Sequence, residues 1–533
     1  MTLSNRISRL TFRKHPQNRN RTHYLPYLEV FLKMLYPCRS HTAYQKFVSK
    51  RLPSFLEHDP AWVLSHSALI GKLWRLDLRR AEPFLKPLYA ARGAPARDPT
   101  NLLRALIAMT HLRITSITRF VRRLKADRLL ALCCGFDPNH PENLPGVGTF
   151  YDFFKRLWIG ADGGARPKIL PRQRKPREKF KPDGRWQQKH PGVLKRLAQR
   201  VVSRHRSEKR PEMLLQILLA RVFVDVSVEK GLISPQNLVL AGDGTSLKSG
   251  GSSSGTKVCA CRKKGILNCN CARRYSDAGA SWGWDSTREV FFWGRRLYEL
   301  TAAGGIYDLP LYLRLGAGRR HDSVLAMTAL AEARNLYPNL RFCVFTADAA
   351  HDATAIFEIL NHWQIKPVIP LNERCGGHRS YQGPLKIDDL GRPICPAGYP
   401  MQYWGLDAKR SRLRWRCPKI CARKEIRSQI VCNQPCSPSP TGRVVITKPK
   451  DDPRLFTPIP RASPLWQDIY RNRTAVERSF KRKKIDYNLE DARARSTCYW
   501  CWRAHLAAYN QHLDAWLAHE PFSLEEVLTP LKT

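Results

Sequence analysis

The chain has 533 residues and carries 91 Lys and Arg against 44 Asp and Glu, a formal net charge of +47. It is long enough for several domains and a large core, and basic enough to repel itself when compact and to attract polyanions. No apolar run reaches the ~18 residues of a bilayer span, and the polar, basic stretch Met1 to Arg21 has no apolar leader core, so the expectation is a cytoplasmic protein with no membrane partner.

Trp and Tyr interleave with the basic residues throughout, which favours nucleic acid over a ribosome-like or merely cationic surface. Residues 1–60 read as basic and irregular, with islands such as Tyr27 to Leu32. Asp98-Pro99 predicts a capped helix to about His111. Behind Thr115-Ser116, the stripe Ile117, Phe120, Val121, Leu124 predicts another, with Arg119, Arg122 and Arg123 on its outer face. Thr149 is expected to cap a third, striped by Phe150, Phe153, Phe154 and Leu157. Residues 1–162 thus read as an α-helical, helix-turn-helix-like DNA-binding region, or as an ordinary bundle with a solvated basic face. Residues 163–196 form a basic, Pro-rich linker unable to pack a core of its own, and 197–235 a connecting hydrophobic helix from about Pro211 to Lys230.

From residue 236 an apolar run ends at Asp243, and a Ser/Gly/Cys-rich insert fills 246–287. Strand-like runs follow at Arg295–Ala302 and Leu309–Leu315, then a helix over Asp322–Leu336. A further apolar run ends at Asp348. A helix over about Ala353–Trp363 and a short strand at Pro367–Pro370 lead to a Cys-rich insert, 372–455. A last helix, about Leu465–Tyr487, carries Glu477, and 516–533 reads as a tail. Without its inserts the order is βββαβαβα, that of an α/β ribonuclease H-like fold spanning 236–371 and 456–515. That fold sets the first and fourth strands side by side, bringing Asp243 and Asp348 together. Each Asp alone could equally be a turn or cap residue. With Glu477 they make a hard-oxygen set suited to Mg²⁺.

At these residues the chain resembles the DDE transposases of bacterial insertion sequences. Tyr470, Arg473, Glu477 and Lys484 match the Y-x2-R-x3-E-x6-K signature of the insertion-sequence 4 superfamily at every spacing, and His321-Asp322-Ser323 and the helical block 99–158 are also similar to that family. The resemblance covers about 98–158 and 236–510. It implies that Asp243, Asp348 and Glu477 hold two Mg²⁺ (or Mn²⁺) ions, and that Arg473, Lys484 and Tyr470 bind transposon-end DNA. It further implies end cleavage, transfer of the 3′-hydroxyl strands to target DNA, action as a homodimer on double-stranded DNA, and a bacterial, nucleoid-associated setting. The alternatives are a related nuclease without strand transfer and a non-catalytic, transposase-derived binding protein. His321 and Asp352 are further candidates, Asp352 equally a helix cap.

Sixteen cysteines in a reducing compartment suggest metal ligation rather than disulfides. Cys417, Cys421, Cys432 and Cys436, with Cys395 spare, form one candidate Zn²⁺ set. Cys259, Cys261, Cys269 and Cys271 form another, at a less usual CxC spacing. Incidental cysteines remain the alternative for both.

Overall fold

The computed structural model describes residues 38–89, 96–159, 167–176, 192–203, 210–373, 377–421, 424–433, 435–491 and 494–529. The region read as irregular before residue 38 and most of the Pro-rich linker lie outside these residues.

The N-terminal region is helical. α1 (His41–His58) starts at Ser40, whose side chain accepts from Ala43 N. α2 (Pro99–His111) starts at Asp98, which accepts from Thr100 N at 2.8 Å, with proline at the first helical position. α3 (Ile117–Ala126) is capped by Ser116 and buries the expected Ile117, Phe120, Val121 and Leu124. α4 (Val147–Leu157) buries Phe150, Phe153, Phe154 and Leu157, but its N-cap is Gly146 rather than Thr149. The apolar stripe already extends the helix back to Val147, so Thr149 falls inside the first turn.

The linker is not wholly without partners. Its β1 (Lys168–Leu170) pairs antiparallel with a strand of the first insert, and the helix Val193–Val202 begins before the expected boundary at 197. The hydrophobic stretch from Met213 to Glu229 is helical throughout, with a π-helical turn at Leu219–Val224.

The main sheet begins with β2 (Leu238–Lys248). In the first insert, β3 (Thr256–Lys257) and β4 (Arg273–Tyr275) join β1 in a small three-stranded sheet of order β1-β4-β3. β5 (Ser281–Asp285) and β6 (Val290–Ala303) form a hairpin, and β7 (Leu309–Ala317) runs antiparallel to β6. α5 (Asp322–Leu336) then leads to β8 (Phe342–Thr346), parallel to β2, and α6 (Thr354–His362) to β9 (Lys366–Val368), parallel to β8. The lateral order is β7-β6-β2-β8-β9, with β5 continuing the β7 edge because Gly294 pairs with both Ser281 and Lys248. The first and fourth core strands are thus neighbours. The second insert folds β10 (Gln402–Asp407), β11 (Arg412–Arg416) and β12 (Val444–Thr447) into an antiparallel sheet over its own core of Met401, Leu413, Trp415 and Phe456.

The expected last helix is broken. Pro464–Tyr470 and α7 (Thr474–Ile485) are separated by a 3₁₀ turn at Arg471–Arg473. α8 (Thr497–His519) follows, buried on nearly every side, and packs on both β7 and α2. One continuous apolar core therefore runs from the N-terminal helices through α8 into the main sheet. Polar ties cross the same junction: Lys72 Nζ meets Asp514 at 2.5 Å and Tyr499 OH donates to Thr115 O at 2.6 Å. The boundary expected at 515 falls inside α8. No helix among the described residues is long and apolar enough to cross a membrane.

Candidate active site

β2 does not end at Asp243. Pairing with β6 carries it on to Lys248, whereas its parallel partner β8 leaves it at Ala241, opposite Thr346. Asp243 therefore lies just past the point where β8 departs, directly opposite Glu299 of β6. The glycines on either side make room for the neighbours. A Cβ on Gly242 would lie 2.5 Å from Tyr298 OH and 2.6 Å from the Phe345 ring, and one on Gly244 would collide with the Asp322 carboxylate. Asp243 Oδ1 accepts its neighbour's amide, Gly244 N, at 2.7 Å.

Asp348 follows β8 and caps the 3₁₀ turn Ala349–His351, as its turn-residue reading anticipates. Its Oδ1 accepts from Ala350 N at 3.1 Å and bonds His351 Nδ1 at 2.6 Å; His351 Nε2 in turn meets Tyr298 OH at 3.0 Å. Glu477 lies in the first turn of α7 and is bound by Arg473 Nη1 at 2.5 Å. Arg473 also interacts electrostatically with Asp243 and with Asp348. The two aspartates and the Arg473–Glu477 pair thus share one polar site, although the three carboxylates are not drawn into a tight cluster.

The electrostatics of the site follow from burial and crowding. Burial, and then the charge of Asp348, push the Asp243 carboxyl up to about 7. Burial would raise Asp348 too, but the hydrogen bond and charge of His351 outweigh it and hold Asp348 below its ordinary value. Burial disfavours the His351 cation, yet the Asp348 hydrogen bond and the surrounding acids leave its pKa raised. A carboxyl whose ionisation is disfavoured by an ionised neighbour, with hard oxygen donors on separate elements, suits a divalent cation.

A pH dependence follows. Asp243 binds a proton in the folded state that the unfolded chain has already lost between its ordinary value and about 7, so stability falls as pH rises across that interval. His351, with its raised pKa, contributes fully below its ordinary value and loses that contribution as pH rises through its folded value. The depressed Asp348 contributes throughout this window and is lost only at lower pH. In chelator the protein should melt at a lower temperature at about pH 8 than at about pH 6, and added Mg²⁺ should raise Tm more at the higher pH, where Asp243 is already ionised. Calorimetry at both pH values checks this; equal Mg²⁺ effects would contradict it.

Other residues singled out in the sequence fall in varied settings. Tyr470 is half-buried and stacks on Trp466 at 4.7 Å, with Arg473 over its ring at 5.7 Å. Lys484 is paired with Glu490 at 2.8 Å. On α3, Arg119 and Arg122 are exposed, while Arg123 is held by Asp127 at 3.2 Å and lies over Trp62. His321 caps α5 through Ser323 N. Asp352 is buried against Arg454 at 2.8 Å and accepts from Asn372 N, so it fastens the second insert.

The two cysteine sets part company. Cys259, Cys261, Cys269 and Cys271 place their sulfurs within 4.8 Å of one another, the one such group of possible metal ligands among the described residues. Cys417, Cys421, Cys432 and Cys436 are not gathered in this way. Cys421 Sγ turns to Cys417 O at 3.2 Å and Cys436 is exposed, while Cys395 is buried in the insert's apolar core.

Three residues of the site were not assigned a role from sequence. Asp322 interacts with Asp243 and His351, is held by Arg296 at 2.6 Å, and among the described residues leaves Oδ1 buried without a hydrogen-bond partner. Glu299 and Lys483 form a fully buried pair at 2.9 Å that fixes α7 on β6. The similarity of His321-Asp322-Ser323 to a family motif was the one signal pointing at Asp322; Lys483 reads in sequence as one more cation of a basic, phosphate-contacting helix face but is fully buried, and nothing local marks Glu299.

A family model for the transposase DDE domain matches residues 234–509, taking in Asp243, Asp348 and Glu477. A second, described as a transposase domain, matches residues 70–156, across α2, α3 and most of α4. No curated protein matches the chain. The first match spans more than half of the 533 residues and coincides with the sheet and helix that carry the three acids, so the chain belongs to the DDE transposase family, enzymes of a ribonuclease H-like fold that act on DNA with divalent metal ions.

Proposed function

We propose that this transposase is of the insertion-sequence 4 superfamily type, and that it binds the terminal repeats of its element, cleaves them and joins the 3′-hydroxyl strands to target DNA. The observation that carries this reading is that Asp243, just past the point where β8 leaves β2, and Asp348, just after β8, both interact electrostatically with the Arg473 that binds Glu477. Asp243, Asp348 and Glu477 are the proposed metal ligands. Mg²⁺ or Mn²⁺ ions held there would activate the attacking water or 3′-hydroxyl and stabilise the leaving oxygen.

The chain's own residues do the rest. Asp348 is kept ionised by His351, which Tyr298 holds in place. Arg473, its fork now on Glu477, is within reach of the reacting strand and suits bidentate contact with its phosphates. Tyr470, stacked on Trp466, offers an apolar flank to the same DNA, and Lys484 adds charge about two turns along α7 from Glu477. Arg119 and Arg122 supply a second, exposed contact on α3. Two subunits are expected to hold the two ends, since both must be cut and joined together.

The test is incubation of labelled duplexes bearing the element's own end with Mg²⁺ and target DNA. The reading expects nicks at the end followed by joined product. Nicks without joined product, under conditions where both ends are bound, would leave a nuclease in its place.

A further inference from the structure

We propose that Cys259, Cys261, Cys269 and Cys271 bind a structural Zn²⁺ that clasps the linker segment 167–176 onto the catalytic domain. Thr256 pairs with Arg274 and Lys257 with Arg273, so the cysteines after β3 and those before β4 are brought face to face. A 3₁₀ turn over Cys261–Lys264, closed by Gly265 at φ +74, folds the intervening loop back. Cys259 and Cys269 sulfurs lie 3.5 Å apart, and those of Cys261 and Cys271 3.6 Å. A tetrahedral Zn²⁺ with Zn–S near 2.3 Å requires sulfurs about 3.8 Å apart. The arrangement is therefore close to that of a four-thiolate site and well beyond disulfide bonding distance.

The surroundings favour it. Lys257, Arg262, Lys263 and Lys264 stand in the same hairpin, and Arg172 donates to Cys269 O at 2.7 Å. These cations offset the double negative charge of a zinc bound by four thiolates.

The small sheet needs such support. Among the described residues its apolar cluster comprises Tyr275, Ala280 and Trp293, with Leu170 and Trp282 at the margin, a small core for three short strands. Yet this sheet is what secures the linker. Lys168, Ile169 and Leu170 pair with Tyr275, Arg274 and Arg273, Gln173 N donates to Tyr275 OH at 2.7 Å, and Arg174 bonds Asn270. Every one of these partners lies between or just after the second pair of cysteines.

Metal analysis of the full chain, purified under reducing conditions without chelator, tests the site. It should contain about one zinc per chain. Cys271→Ser, at the exposed member of the set, should lower zinc affinity by more than the ~10–100-fold typical of losing an outer-shell partner, while Cys436→Ser retains full zinc. Co²⁺ added to the stripped wild type should give the strong visible bands of a tetrahedral thiolate site, independent of how any variant folds. Removing the metal should also speed protease cleavage within 171–176. A metal-free chain with four reactive thiols, or with these cysteines oxidised in pairs, would overturn the site. Zinc lost in Cys436→Ser but kept in Cys271→Ser would place it in the second insert instead. Zinc bound with no change in proteolysis would overturn the clasp.

Discussion

Asp348→Asn should abolish end cleavage and joining, by about 10³-fold or more, because a ligand able to share several kcal/mol of transition-state charge stabilisation is lost. Binding of the end should persist within about tenfold, since affinity for DNA comes chiefly from Lys and Arg on phosphates. The substitution has a second consequence that separates a catalytic from a scaffolding role. Asp348 is the largest charge raising the Asp243 carboxyl after burial itself, and it is also what raises His351. Without it Asp243 should ionise at lower pH, and the fall in stability with rising pH in chelator should become shallower. Glu477→Gln, which releases Arg473 but leaves both aspartates in place, should lose cleavage to a similar degree while keeping that pH dependence. Gel-shift and cleavage assays on one labelled duplex, with melts at two pH values, distinguish these outcomes. Cleavage surviving in Asp348→Asn would remove it from the metal site, and loss of end binding in Glu477→Gln would make that residue structural.

Much of the frame was legible in the sequence because it is written in local chemistry. Asp98-Pro99, the Ser116 cap and the apolar stretch after Asp322 each encode a helix within a few turns, and the structure places helices at Pro99–His111, Ile117–Ala126 and Asp322–Leu336. What was not legible depends on residues far away in the chain. β2 overruns Asp243 because β6 pairs with it as far as Lys248, and the apolar run alone could not show that. α8 has no amphipathic signature because it packs on both α2 and β7 and is buried along nearly its whole length. The cysteine spacings ranked the second set above the first, but a hairpin register gathers Cys259 to Cys271, and nothing equivalent gathers Cys417 to Cys436. Two of the three acids announced themselves by following apolar runs, and the third by its signature spacing. Glu299 was hidden within a strand, because its partner is Lys483, more than a hundred residues on in a helix already crowded with basic side chains.

That hidden pair supports the other large effect. Lys483→Met should destabilise the protein by about 3–5 kcal/mol, the usual result of removing one partner of a buried ion pair. Both side chains are fully buried. Glu299 Oε1 also accepts from Ser479 Oγ at 2.5 Å and Thr301 Oγ1 at 3.0 Å, while Lys483 Nζ reaches Gln511 Oε1 on α8 at 2.5 Å. One ammonium therefore ties α7 to both β6 and α8. Its removal leaves an uncompensated carboxylate in the core and frees the helix that carries Glu477 and Arg473. The double variant Lys483→Met with Glu299→Met should recover most of the stability, because a buried pair replaced by apolar groups of similar volume is often neutral. It should recover cleavage less completely, since Met on β6 cannot bind Ser479 and set the pitch of α7 against Asp243. Thermal melts and end-cleavage rates of the two single variants and the double form a coupling cycle. A double variant no more stable than Lys483→Met would mean that the pair is not what holds α7 to the sheet.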